Sequence, residues 1–89
     1  MTRTLRLYGR SYCHLCDEMA AALHELCAEL RLIVVWVDIE DDERLESLYG
    51  EHIPVLMLGE REVCRHRLDE TALRRACAQP CAEPVANRN

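Results

Sequence analysis

Lysine is absent from this 89-residue chain, whose 11 basic residues are all arginine. That absence removes Schiff-base chemistry and a Walker-type phosphate lysine in one step. Any anion or thiolate here must be met by Arg, by a protonated His or by backbone N–H groups. Long apolar runs are missing too. The longest strongly apolar stretch, residues 32–37, falls far short of the ~20 residues needed to span a bilayer. The opening segment, Met1-Thr-Arg-Thr-Leu-Arg-Leu-Tyr8, has no apolar h-region and no small-residue cleavage site, so a reducing cytoplasmic location is expected. No internal repeat and no low-complexity tract is present.

What remains is a compact, acidic composition. Sixteen acidic residues against 11 basic ones give a net charge of −5, which argues against a nucleic-acid backbone or an anionic membrane as partner. With 49% hydrophobic and 30% charged residues the chain is a folder. Its length suits one domain, expected over residues 1–78, followed by a polar, mobile tail at 79–89. A monomer is expected. Six cysteines in so short a chain would mean a disulfide framework in a secreted protein. In a cytosolic one the same count points to metal binding or redox catalysis, and the spacing must decide.

Leu5, Leu7 and Tyr8 predict a short strand ending at Gly9-Arg10-Ser11. From Cys13 the period becomes helical: Cys16, Ala20, Leu23, Cys27 and Leu30 form one stripe, widened by Met19 and Leu26. Residues 32–37 are β-branched and apolar throughout, the pattern of a central strand covered on both faces. An acidic loop at 38–43 leads to a short helix over 44–49, with Gly50 as its stop. A strand over 54–58 starts at Pro54, turns at Gly59-Glu60 and returns over 62–65. Asp69 caps a last helix running to residue 78, with Leu68 and Leu73 placed for a hydrophobic staple, and Pro80 ends it. The predicted order is β-α-β-α-β-β-α, an α/β fold with a mixed four-stranded sheet and helices on both faces.

The chemistry concentrates at Cys13-His14-Leu15-Cys16. A Cys-x-x-Cys after the first strand of a βαβ unit reads as a thioredoxin-like redox motif. At a helix start Cys13 meets free N–H groups and the positive end of the macrodipole, which favour its thiolate. Cys16 lies one turn deeper, close enough to close a disulfide. Cys13 is the expected nucleophile and Cys16 the resolving thiol. At pH 7 a thiol of pKa ~8.5 is ~3% thiolate and one of pKa ~6 is ~90%. That ~30-fold gain is offset by a ~13-fold loss of nucleophilicity, so the lowered pKa acts mainly through leaving-group quality and redox poise.

Over residues 3–78 the sequence resembles the glutaredoxin branch of the thioredoxin superfamily. The matching pieces are Leu7-Tyr8-Gly9-Arg10-Ser11-Tyr12-Cys13-His14-Leu15-Cys16, Val37-Asp38-Ile39 and Tyr49-Gly50-Glu51-His52-Ile53-Pro54-Val55-Leu56. It looks most like bacterial glutaredoxin-like proteins carrying Cys-x-Leu-Cys. The resemblance implies a thioredoxin-like fold and thiol–disulfide oxidoreductase activity in cell redox homeostasis. It also implies a cis Ile53–Pro54 bond facing the redox pair, an Ile53 backbone that pairs with substrate, and an Arg10 that meets the glycyl carboxylate of glutathione. Arg10, Tyr12, His14, Leu15, Ile53 and Pro54 are thus the expected substrate-binding residues. Two departures stand out. His14-Leu15 replaces the usual Pro-Tyr, and the stretch from Val63 to Asp69 lacks the Gly-Gly-Asp-Asp-like run that cradles glutathione. Protein disulfides and the thioredoxin or glutathione systems are the expected partners. No resident cofactor or metal is expected, glutathione being a candidate reductant.

Simpler readings stand beside these. Cys27 and Cys77 fit buried core thiols, Cys81 an exposed tail thiol, and Met19 a core side chain. Cys64, in the stretch that lines the glutathione groove in glutaredoxins, is expected near the redox end of the sheet. Tyr12 is either a half-buried loop anchor or a wall of the substrate groove. His14 is either a solvated helix residue or a tuner of the thiolate. The rival class is a non-enzymatic metal module using the same cysteine pair. One form is a structural zinc site of Cys13, Cys16, Cys77 and Cys81, and the other a [2Fe–2S] cluster bridging two subunits. A last helix running away from the redox end would carry Cys77 too far for the zinc set.

Overall fold

The computed structural model describes residues 3–78. Seven elements follow in the predicted order: β1 (Arg3–Gly9), α1 (His14–Leu30), β2 (Leu32–Asp38), α2 (Glu43–Tyr49), β3 (Val55–Leu58), β4 (Arg61–Arg65) and α3 (Glu70–Ala78). The strands form one sheet of order β2-β1-β3-β4. β1 runs parallel to β2 and antiparallel to β3, and β3 and β4 form a hairpin turned at Gly59. A register shift between Leu56 and Met57 sets Leu56 opposite Cys64 and Met57 opposite Glu62. The polar tail at 79–89, with Pro80 and Cys81, lies outside the described residues.

Alternation along β1 sorts the core into two clusters. Leu5 and Leu7 meet Met19 and Leu23 of α1, Leu32, Leu56 and Leu73 of α3 in the main one. Tyr8 faces the opposite side, where it joins Ile39 and Val55 with Leu45 and Tyr49 of α2 around them. The Tyr8 and Tyr49 rings lie 4.5 Å apart at 34°, a tilted aromatic pair. Polar caps fix the helix starts: Asp42 Oδ1 accepts from Leu45 N at 3.1 Å, and Asp69 Oδ1 from Ala72 N at 2.9 Å. α1 ends at Arg31, whose left-handed backbone turns its N–H back to the Cys27 carbonyl. Arg74 of α3 forks onto Glu29 of α1 at 2.9 and 3.1 Å and also reaches Glu70 at 2.9 Å. These groups are exposed, so the fork aligns the two helices more than it stabilises them.

Four expectations need correction. β2 is not a central strand covered on both faces. It pairs with β1 alone, and Ile33, Val35 and Trp36 remain 52%, 44% and 43% exposed. α2 has seven residues and so spans about 10 Å. β2, also seven residues, spans about 23 Å, too long for α2 to cover along the face that bears Ile33 and Val35. On α1 the buried residues Cys16, Met19 and Leu23 all belong to the predicted stripe, but Ala20, expected on it, is exposed. Cys27 and Cys77 pack against the main cluster but are only half-buried. The third strand also opens at Val55, one residue after Pro54.

No helix among the described residues is long and apolar enough to cross a membrane. Leu73 is fully buried and ties α3 to the sheet. Leu73→Ala is expected to cost about 2–5 kcal/mol, a large share of the 5–15 kcal/mol typical of a domain, read as a lowered urea midpoint.

Candidate active site

The C-terminal end of β1 is where the predicted site residues gather. Cys13 is the N-cap of α1, in extended backbone at φ −109 and ψ 109, and its sulfur accepts the Cys16 N–H at 3.1 Å. A sulfur in this position replaces the oxygen of an ordinary cap, so a free helix N–H points at the thiol meant to ionise. Cys13 and Cys16 are joined in a disulfide with their Cα atoms 5.2 Å apart. Burial separates the two: Cys13 is half-buried, Cys16 wholly buried. Access thus favours Cys13 as the sulfur that meets another molecule.

Tyr12, immediately before Cys13, has a left-handed backbone at φ 62 and a side chain fully open to solvent. It is no half-buried anchor. A bulky residue at positive φ carries about 1–3 kcal/mol of strain, which the surrounding fold must hold in place. His14 is exposed and Leu15 half-buried on the first turn of α1. The Ile53–Pro54 bond is cis, as the resemblance implied. Pro54 is buried, and Ile53 packs beside the Tyr8–Ile39–Val55 cluster. Since Tyr8 pairs with Val55, Pro54 stands at the level where β1 ends and the redox loop begins.

Arg10 has a partner within the chain. Its Nη2 donates to Glu46 Oε1 on α2 at 2.9 Å, while its buried Nε has no partner. The guanidinium therefore ties the redox loop to α2, and a carboxylate of the chain itself already neutralises it. Gly50 makes room for that carboxylate, because a Cβ there would lie 2.7 Å from Glu46 Oε1.

The sequence reading did not single out Gly9 as a contact point. A Cβ on Gly9 would stand 2.7 Å from Cys16 Sγ and 2.7 Å from Trp36 Cη2. A glycine closing a strand is itself a sign of close approach, so this contact had a legible signal. Glu46 had none, being 36 residues from Arg10.

The remaining thiols are of another kind. Cys64 lies opposite Leu56, two residues before His66, whose N–H donates to the Pro54 carbonyl at 2.8 Å. Burial pushes its thiol up, and a hydrogen bond from the Asp69 backbone offsets this only in part. Burial also pushes Cys27 up, with Cys77 acting in the same direction. Cys77 follows Ala76, whose carbonyl accepts from Arg3 Nη1 at 3.2 Å, at the opposite end of β1 from Gly9. Cys77 thus stands at the other end of the sheet from Cys13 and Cys16, and Cys81, the remaining member of the zinc set, lies outside the described residues.

A mixed sheet of this order, with a cysteine pair opening the first helix and a cis-proline before the third strand, defines a thioredoxin-like protein. Residues 4–77 match the glutaredoxin-like domain family (DUF836), and the chain belongs to that family. It is similar to a Nitrosomonas europaea protein solved in solution, at 36% identity and TM-score 0.76, covering 83% of this chain and 89% of that one. An X. campestris protein is 40% identical. Its crystal structure gives TM-score 0.58 over 85% of this chain and 99% of that one. Its solution structure gives 0.62 over 88% and 97%. No curated protein matches the chain.

Two outcomes follow from this geometry. Gly9→Ala forces the Cys16 sulfur or the Trp36 ring aside and is expected to cost about 1–3 kcal/mol in chemical denaturation. Cys27 and Cys64 hold raised folded-state pKa values, so the folded chain keeps protons that the unfolded chain loses. Their stabilisation is full below the unfolded thiol value and is lost as pH rises through the folded ones. The urea midpoint should therefore fall above about pH 9, and Cys64→Ala should flatten that fall.

Proposed function

We propose that the chain is a thiol–disulfide oxidoreductase in which Cys13 is the nucleophile and Cys16 the resolving thiol. The observation that carries this reading is the Cys16 N–H directed at the half-buried Cys13 sulfur, with Cys16 itself buried. In the reduced protein that N–H and the helix start favour the Cys13 thiolate.

The Cys13 thiolate attacks one sulfur of a substrate disulfide, and the other sulfur leaves as a thiolate. Cys16, once deprotonated, attacks Cys13 Sγ. The Cys13–Cys16 bond forms, the mixed disulfide breaks and the substrate's second sulfur departs. Two electrons have then passed to the substrate. A dithiol reductant reverses the sequence and regenerates the pair. A reducing cytoplasm suits this cycle, since it maintains the reductant.

The partner we propose is a protein disulfide, or a reductant other than glutathione. Side chains of Cys64 and Arg65 stand where the family resemblance calls for bare glycine, and Glu46 already occupies Arg10. His14, Leu15, Tyr12 and the Ile53–Pro54 backbone form the surface for an extended peptide.

Cys16→Ser is expected to trap a mixed disulfide on Cys13, and Cys13→Ser to abolish exchange, both read by mass spectrometry. Faster alkylation of Cys16 than of Cys13 at pH 7 would reverse the assignment. At equal concentration, thioredoxin should resolve the trapped species faster than glutathione. Saturable turnover by millimolar glutathione would restore an ordinary glutaredoxin preference.

A further inference from the structure

The space over Gly9 is shared by two groups from different elements. Cys16 Sγ descends from α1, and the six-membered edge of the Trp36 indole reaches across from β2. Trp36 Cη2 and Cζ3 would lie 2.7 and 3.1 Å from a Cβ on Gly9, and Cys16 Sγ would lie 2.7 Å from the same point. Sulfur and ring edge are thus within twice the shorter distance of each other, the range of sulfur–aromatic contacts at about 5 Å.

The register explains how the ring arrives there. Trp36 pairs with Leu7, two residues before Gly9, on the face that β2 shares with α1 through Leu32 and Val34. Only a strand without a side chain at position 9 leaves room for both groups. β2 is an outer strand of the sheet, so among the described residues no further strand stands between Cys16 and water on that side. Trp36 is 43% exposed while Cys16 is 0% exposed, so the indole takes the solvent and the sulfur does not.

We propose that Trp36 is a positioning residue of the redox pair: its indole edge keeps the resolving sulfur dry while Cys13 meets substrate. The inference rests on the dithiol function proposed above and extends it. Water excluded from one sulfur and a helix N–H aimed at the other push the two thiols apart in reactivity. The nucleophile ionises first. Cys16 stays a thiol until the mixed disulfide forms beside it, which limits premature attack on other disulfides and capture by small electrophiles.

The test uses the full chain, reduced with excess phosphine and then pulsed with iodoacetamide under native conditions, with each cysteine resolved by mass spectrometry. In the wild type Cys13 should react well ahead of Cys16. Trp36→Ala should raise the Cys16 rate by about tenfold, the effect of removing one pKa unit of burial, and leave Cys13 within about twofold. Trp36→Phe, which keeps an aromatic ring but not its full reach, should fall between the two. Equal Cys16 rates in all three proteins would overturn the proposal.

Should Trp36→Ala unfold, Cys27 and Cys64 would also react fast, and Trp36→Phe then carries the comparison. A second measurement needs no substitution at position 36. The chain has one tryptophan, and a disulfide in contact with an indole quenches its emission. Reduction of the wild type should brighten the protein, and a Cys13→Ser/Cys16→Ser double variant should show no redox-dependent change. Emission indifferent to reduction in the wild type would also overturn the contact. Alkylation is read on chemically reduced protein and requires no turnover. A dithiol that never exchanges with substrate would defeat the proposed function and leave this result standing.

Discussion

At the end of β1 the sheet carries a bare α-carbon, and the arrangement of the redox end depends on it. A methyl group on Gly9 would collide with the Cys16 sulfur and with Trp36 at once. Either the Trp36 ring or the Cys16 sulfur must then give way, and one way for the sulfur to do so is for α1 to lift. The cap then moves as well, because the Cys16 N–H is the donor that meets Cys13. One missing side chain therefore couples the depth of the resolving sulfur to the polarisation of the nucleophile.

In a chain without lysine, the charges around the site come from arginine and from the peptide backbone. Arg10 is the basic side chain of the redox loop, and Glu46 holds it. The field at Cys13 is then left largely to the helix start, whose N–H groups keep their orientation whatever the pH. Fixed dipoles need little rearrangement as charge develops on sulfur, whereas a mobile ammonium would have to be ordered first. The Arg10–Glu46 pair serves another purpose. It fastens the loop bearing Tyr12 and Cys13 to α2, on the opposite face of the sheet from α1.

Much of this was legible along the chain. The helical stripe of α1, the Asp69 cap and the turn at Gly59 are local signals, and each fell in place within a residue or two. The cis bond at Pro54 was legible through the resemblance, not through composition. The position of β2 was not legible. A β-branched apolar run reads the same whether a strand has two neighbours or one, since exposure of Val35 depends on a helix that begins only at Glu43 being too short to reach it. Exposure of Ala20 beside a buried Met19 is below what periodicity resolves in so apolar a segment. The Arg10–Glu46 pair and the Trp36 ring over Gly9 join distant parts of the chain, and no local pattern encodes either.

The order of the strands has a bearing on which parts of the molecule open first. β1 and β3 are hydrogen-bonded on both sides, while β2 and β4 each present one row of backbone groups outward. In amide exchange the outer rows would lose protection through small local openings, and the inner pair only when the sheet itself parts. The loop bearing Cys13 hangs from β1, and Pro54 stands at the head of β3. The chemistry is thus mounted on the two strands that yield last, so fraying of either edge leaves the distance between the two sulfurs and the proline undisturbed.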